Sequence, residues 1–147
     1  MMMILNIVLA IFIILELFNL LILYFKPSAK RANGMGAFKA WNESKKDPDI
    51  HNLIKYLTYW VAGTKLIIIS LLTVILVLAE PTLKIIAVGV LALTITSFYW
   101  KMFPVIKKMD SDGNVSPAGY HKTLSLIIAV ITLTLSLSAL FAYINIV

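Results

Sequence analysis

The chain has 147 residues, of which 61% are hydrophobic and 14% charged, and its mean hydropathy is +0.93. This composition excludes an ordinary soluble domain and favours a protein that lies within lipid. The net charge of +6 is explained by the positions of the basic residues rather than by nucleic-acid binding, and the lack of cysteine excludes thiolate chemistry.

Four long apolar runs follow one another along the chain, at residues 3–25, 53–78, 83–103 and 123–147. Each is close to the roughly 20 residues that cross about 30 Å of hydrocarbon as a helix. The connections at 26–52 and 104–122 are too short to bury a core of their own. The sequence therefore predicts an all-α, polytopic membrane protein, a single domain of four transmembrane helices in an up-down bundle.

The basic residues predict the orientation of these spans. Eleven of the 13 lysines and arginines flank or lie within the connections 26–52 and 104–122. These connections must share one side of a four-span protein, and the positive-inside rule places them in the cytoplasm, with both termini outside. Basic residues follow the first span but none precedes it, so we interpret this span as an uncleaved helix rather than a signal peptide. The expected location is the cytoplasmic (inner) membrane of a prokaryotic-type cell.

Two prolines predict where helices begin. Asp47 can cap the second helix, and Pro48 suits its first helical position. Ser116 and Pro117 predict the same arrangement at the start of the fourth helix. Between residues 32 and 42 the apolar spacing indicates a short interfacial helix, although two glycines disfavour it.

Two opposite charges lie within the apolar runs, Glu16 in the first and Lys65 in the second. A charge at the bilayer centre costs about 2.5–3.5 kcal/mol, so such residues normally face a protein interior. Both positions are within about two residues of the midpoint of their runs. Because the two helices run in opposite directions, the residues reach a similar depth, and a direct ion pair is predicted.

Further polar residues extend this pair into a predicted site. Asn19 follows Glu16 at a spacing of three, shares its helix face and can donate to the carboxylate. The third span offers hydroxyl groups at a comparable depth. The predicted ligand- or ion-binding seam contains Glu16, Asn19, Lys65, Thr94 and Ser97, with Thr96 as a further candidate.

Three interpretations of the pair stay open. The two charges neutralise each other and fix the register of their helices, which is a well-attested use of buried pairs. Alternatively, they form a proton- or ion-coupled site, since burial disfavours the carboxylate whereas a neighbouring lysine favours it, and a proton or cationic cargo then switches the pair. In the third interpretation, Glu16 and Lys65 face different partners, including a second copy of the chain.

The position of Glu16 resembles that of the membrane-embedded glutamate in the first helix of the small multidrug resistance transporters, which are also short four-helix chains. The resemblance implies transport across the membrane. Two features depart from that family's pattern, namely the lysine at position 65 and a first loop of about 25 residues.

The two histidines support a different hypothesis. His51 precedes the second span and His121 the fourth, so both are expected near the cytoplasmic interface, where haem or a metal could bind. The two histidines do not stand at a spacing of three or four, and we predict no cofactor and no metal. The sequence from Asp110 to Asn114 resembles the opening of a calcium loop but lacks its closing glutamate, so a plain turn is expected.

A cytoplasmic rim of His51, His121, Lys107 and Lys108 could also hold a lipid phosphate for transfer or hydrolysis. Attraction to anionic headgroups explains the same residues without catalysis. No spacing of a nucleophile and a base is visible, so the sequence favours a protein that is not an enzyme.

The function predicted first is an ion- or proton-coupled transporter or channel-like unit that uses Glu16 and Lys65. The second is a non-catalytic accessory subunit that docks a larger membrane complex through its basic cytoplasmic loops, and a lipid-modifying enzyme is third. Four helices enclose little space, so a homo-oligomer is expected for transport. The predicted surroundings are a bilayer with anionic headgroups, and nucleic acid is not a predicted partner.

Overall fold

The structure is a computed structural model that describes residues 2–145. This part of the chain is all-helical, and four helices are long and apolar enough to cross a membrane. The helices are α1 (Met2–Phe25), α2 (Lys39–Glu43), α3 (Pro48–Leu78), α4 (Pro81–Ile95), α5 (Phe98–Ser111) and α6 (Tyr120–Ile144). Two 3-10 turns, Met35–Ala37 and Ser44–Lys46, flank α2. The four candidate spans lie within α1, α3, α4 together with α5, and α6.

The start of α3 is confirmed at the residues that the sequence indicated. The Asp47 carboxylate accepts hydrogen bonds from the backbone N–H groups of Asp49 and Ile50, at 3.1 and 3.2 Å, and Pro48 occupies the first helical position. The start of the fourth span was predicted wrongly. Helix α6 begins at Tyr120 rather than at Pro117, after Gly119 with a φ of 82°, a left-handed conformation that glycine adopts without a Cβ clash.

The third span is not one uninterrupted helix. A turn at Thr96 and Ser97 separates α4 from α5, and Pro104 lies within α5. The backbone carbonyl of Leu93 accepts from both the backbone N–H and the hydroxyl of Thr96, at 3.2 and 2.6 Å. A side-chain hydroxyl that binds the preceding turn in this way competes with the backbone hydrogen bonds of a helix and often bends it. The predicted fourth span also extends to residues 146 and 147, which lie outside the described residues.

One apolar core joins all four spans. It contains Leu5, Leu9 and Phe12 of α1, Leu72 of α3, Val88 and Ala92 of α4, and Leu135, Ala139 and Ala142 of α6. Helix α6 packs against both α4 and α1, and α1 packs against α3. Small residues on α6 allow these close approaches, since helices associate in lipid mainly through van der Waals contact.

The two loops that were predicted to share one side of the membrane contact each other. The backbone N–H of Lys39 donates to the Asn114 carbonyl at 2.9 Å, and that of Ser116 donates to the Ala37 carbonyl at 2.8 Å. These bonds flank an isolated antiparallel bridge between Phe38 and Val115. Segments 26–47 and 112–119 therefore form one end of the molecule, which we name the loop end.

The predicted short helix in the first loop is present as α2, with the Met35–Ala37 turn before it. Trp41 of α2 is 4% exposed, and its ring centroid lies 4.9 Å from that of His51. The loop thus packs its aromatic residue against the start of α3. Ala37 and Val115 are buried with it, which gives the loop end an apolar interior of its own.

Candidate functional site

Helices α1 and α3 meet along a seam whose buried residues recur at spacings of three and four. This pattern has a gap in each helix: on α1 no buried residue lies between Phe12 and Leu20, and on α3 none lies between Ala62 and Ile69. Glu16 lies four residues after Phe12, and Lys65 lies three residues after Ala62. Both charges therefore occupy positions where the helix pattern requires an apolar core residue.

The structure brings Glu16 and Lys65 into direct contact, with the Lys65 ammonium donating to Oε2 of the Glu16 carboxylate. The Lys65 side chain is 21% exposed and that of Glu16 is 19% exposed. Within residues 2–145 neither side chain has another hydrogen-bond partner. Each charge is therefore compensated by the other alone, in surroundings that disfavour an isolated charge.

The other predicted members of the seam are not joined to this pair. Asn19 is half-buried on α1, and no hydrogen bond links it to Glu16 in the described structure. Thr94 is exposed, and its hydroxyl donates to the carbonyls of Val90 and Leu91 in its own helix, at 3.0 and 2.9 Å. Ser97 is exposed at the turn between α4 and α5 and provides no side-chain cap. The contact is thus a pair of two residues rather than a wider polar seam.

The chain matches no protein-family model, and comparison with the curated proteins and with the solved structures found no match either. The resemblance to the small multidrug resistance transporters therefore depends on Glu16 alone. In this structure that glutamate is paired within its own chain, which is the departure that Lys65 predicted.

The chemistry available to the pair follows from its isolation. If the Glu16 carboxylate takes up a proton, the Lys65 ammonium loses its only counter-charge and must find an anion, water or a new position. If an external cation binds the carboxylate, Lys65 is displaced in the same way. Lys65 is therefore the one group in the described structure with which a proton or cation at the Glu16 carboxylate would have to compete.

A second polar arrangement lies beside the loop end, between Asp110 at the end of α5 and His121 at the start of α6. One oxygen of Asp110 accepts from the backbone N–H of Gly119 at 3.0 Å. The other accepts from the backbone N–H of His121 at 3.0 Å and contacts Nδ1 of the same residue at 2.5 Å. The Asp110 side chain is 4% exposed, and that of His121 is 17% exposed. Asp110 thus ties the two helices together across the loop.

These hydrogen bonds fix the charge state of Asp110, which lies beyond the apolar run 83–103. Donation from the His121 backbone and then from its ring lowers the pKa of the Asp110 carboxyl below its ordinary value. The ionised carboxylate accepts a hydrogen bond from a protonated Nδ1, so Nε2 is the ring nitrogen of His121 that stays free for other contacts.

His51 lies near the start of α3 and does not pair with His121. Its Nδ1 is 2.8 Å from the Ser44 hydroxyl, which itself donates to the Trp41 carbonyl at 3.0 Å. Burial lowers the pKa of His51, and the positive charges of Lys55 and Lys45 lower it further. Because the Ser44 proton is used at Trp41, a neutral His51 donates from Nδ1 to Ser44.

The rim predicted from the sequence is divided by the structure. Lys107 lines a groove together with His121, whereas Lys108 and His51 do not line it. Within residues 2–145 no group of three or more metal-ligating side chains is present.

Sequence reasoning missed the role of Asp110 because its partner is 11 residues away across an irregular loop, where helical spacing gives no signal.

Replacing Asp110 with Ala is expected to lower the melting temperature of the protein, because two backbone N–H groups and the imidazole lose their acceptor. Since the pKa of this carboxyl is lowered by folding, its contribution is fully present above the ordinary carboxyl range and is lost as the pH falls through the folded value. The difference in melting temperature between the wild type and Asp110→Ala should therefore become smaller below about pH 4.

Asp112→Ala is the matched control, since Asp112 is exposed two residues further on and has no side-chain partner in the described structure. Thermal unfolding followed by circular dichroism in detergent measures both variants. An equal loss of stability in the two proteins would contradict the role assigned to Asp110.

Proposed function

We propose that the protein is a small ion- or proton-coupled transporter or channel-like unit in which the Glu16–Lys65 pair acts as the switch. The observation that supports this most directly is the contact of two opposite charges at apolar core positions of the α1–α3 seam. Replacing such a pair with apolar residues of similar volume is often neutral or stabilising, so stability alone does not account for the two charges. The proposal assigns them a binding role at this position.

In this proposal the closed pair holds α1 against α3, and a proton or a cation arriving at Glu16 releases Lys65. The released ammonium is then unfavourable in the membrane interior until the proton or cation leaves again, or until an anion joins it. Occupancy of the site and the packing of the seam are thereby coupled. Such coupling lets the state of one carboxylate change the arrangement of two helices.

The proposal includes an up-down arrangement with both termini outside the cytoplasmic (inner) membrane. The contacts between segments 26–47 and 112–119 support it, because connections on opposite sides of a bilayer could not hydrogen-bond to each other. The basic residues of these segments support the cytoplasmic assignment through the positive-inside rule.

A homo-oligomer is part of the same proposal. Both side chains of the pair keep about one-fifth of their surface exposed, so the pair lies at the edge of the seam rather than in a closed interior. Four helices leave little space for a path through one chain. A second copy placed against α1 and α3 would supply the other wall of such a path.

An accessory subunit is the second candidate, and the folded loop end favours it. The helix α2 and the following turn present Lys39, Lys45 and Lys46 on an ordered surface above the apolar spans. Lys39 is engaged with Glu43 at 3.6 Å in an exposed pair, which contributes little to stability. Repeated isolation with a larger membrane protein in mild detergent would support this function.

The transport proposal is tested with the protein in proteoliposomes that contain a pH-sensitive dye, under an imposed pH gradient. Glu16→Gln is expected to reduce proton flux to the level of protein-free vesicles, because the amide cannot carry the charge. Glu80→Gln is the control, since Glu80 precedes α4 and makes no side-chain cap. Wild-type flux in Glu16→Gln, with unchanged helix content and elution volume, would overturn the proposed role of Glu16.

A further inference from the structure

We propose that the groove between α5 and α6 is a binding site for an anionic phospholipid. Phe103 and Lys107 of α5 and His121, Lys122, Leu126 and Ala129 of α6 line a groove of about 510 Å³. We name it the lipid groove. The site is distinct from the Glu16–Lys65 pair, and its argument does not depend on the proposed transport function.

The end of the lipid groove near the loops is basic. Lys107 and Lys122 are both exposed, and within residues 2–145 neither forms a salt bridge. His121 also lines this end, but its Nδ1 donates to Asp110, so Nε2 of the neutral ring is an acceptor rather than a donor. The Asp110 carboxylate itself is 4% exposed and accepts from three N–H groups, which reduces its repulsion of an anion in the groove. Two ammonium groups therefore line the end of the groove where a phosphate oxygen can accept.

The other end of the lipid groove is apolar and lies deeper along the helices. Phe103 precedes Lys107 by one turn, and Ala129 follows His121 by about two turns, or about 12 Å of helix. Leu126 is 65% exposed on the same path. The Ser125 hydroxyl, which also lines the groove, is 3.5 Å from the hydroxyl of Tyr99 and forms no hydrogen bond with His121 in the described structure.

This order of basic and apolar surfaces matches the order of groups in a phospholipid at the cytoplasmic interface. A phosphate at Lys107 and Lys122 leaves the acyl chain to run along Phe103, Leu126 and Ala129, toward the membrane interior. Basic pockets between helices at the cytoplasmic side are typical binding sites for anionic headgroups. A free phosphate ion would use only the basic end and would leave the apolar end without an occupant.

The test measures binding of phosphatidylglycerol to the purified full-length protein by native mass spectrometry, with phosphatidylcholine for comparison. Lys107→Gln combined with Lys122→Gln is expected to weaken phosphatidylglycerol binding by about 30-fold, given about 1 kcal/mol for each basic group. The control is Lys101→Gln combined with Lys108→Gln, which removes the same charge from exposed lysines outside the groove. The control is expected to bind the lipid as wild type does.

A second variant tests the apolar end without changing any charge. Ala129→Trp fills the groove and is expected to reduce phosphatidylglycerol binding while leaving helix content unchanged. Equal weakening by both lysine double variants would overturn the proposal in favour of diffuse charge attraction. Binding of phosphatidylcholine as tight as that of phosphatidylglycerol would also overturn the proposal. The same holds if millimolar inorganic phosphate displaces the lipid from the wild type but not from the Lys107→Gln, Lys122→Gln variant.

Discussion

Replacing Lys65 with Met is expected to destabilise the protein by about 3 kcal/mol when Glu16 is retained. The Glu16 carboxylate has no other partner in the described structure, so the substitution leaves a charge at a core position of the α1–α3 seam. Burying an unpaired carboxylate is among the most costly changes in a folded protein. Unfolding by increasing denaturing detergent, followed by loss of helical circular dichroism, measures the effect.

Lys84→Met is the matched control for this prediction. Lys84 is also a lysine within a candidate span, but it lies near the start of α4 and forms no salt bridge in the described part of the chain. Its replacement is expected to change stability by less than about 0.5 kcal/mol. If Lys65→Met lowers stability no more than Lys84→Met does, Glu16 is not left as an uncompensated charge when Lys65 is replaced, and the prediction is contradicted.

The double variant Glu16→Leu with Lys65→Met separates a structural role from a functional one. Because both charges are removed together, stability should return to within about 1 kcal/mol of the wild type. If the pair only fixes helix register, proton flux should be retained with the apolar pair. If the pair is the proposed switch, flux should be absent even though the fold is stable.

The sequence was sufficient to predict the pair because helical geometry in a membrane has few free parameters. Span length fixes the depth of each residue, and alternating direction places Glu16 and Lys65 at similar heights. A buried charge then has one favourable partner within reach. The contact between the two side chains confirms that prediction, whereas its function stays a proposal.

The remaining polar residues of the predicted seam show where this reasoning ends. Depth alone placed Thr94 and Ser97 near the pair, but the face that each helix presents depends on how the helices pack. Helix α4 packs mainly against α6, so Thr94 is exposed and binds its own helix. The rotation of a helix about its axis is not fixed by hydropathy, and a uniformly apolar span such as α4 gives little periodic signal.

The loop end was only partly predictable for a related reason. The Asp47 cap of α3 depends on local spacing and was correctly predicted. The contact of Asp110 with His121 depends on the path of an irregular loop between them, as does the bridge between Phe38 and Val115. Interactions across irregular backbone follow no period that a sequence pattern could reveal. The sequence indicated Lys107 and His121 of the lipid groove as part of a basic rim, whereas the groove itself, which depends on that path, was visible only in the structure.

Gly36 makes the closest backbone approach in the loop end, and Gly36→Ala is expected to destabilise the fold by about 3 kcal/mol. A Cβ atom at this position would lie 1.9 Å from the Ser28 carbonyl oxygen and 2.7 Å from its carbonyl carbon. The backbone N–H of Gly36 also donates to the Ala29 carbonyl at 3.0 Å, which holds the chain in place. Since the obstacle is the backbone of Ser28 rather than a flexible side chain, Ser28 and Gly36 must move apart to admit the methyl group.

That movement has a local consequence which can be measured. Gly36 is adjacent to Ala37, whose carbonyl accepts from Ser116, so the contact between the two loops should weaken with it. Trypsin should then cleave the Gly36→Ala variant faster at the basic residues of the first loop. Gly89→Ala is the control, because nothing lies within 4 Å of an added Cβ there, and alanine is favoured over glycine in the interior of helix α4 by about 1 kcal/mol. The two substitutions should therefore shift the melting temperature in opposite directions, and a shared small shift would contradict the close packing assigned to Gly36.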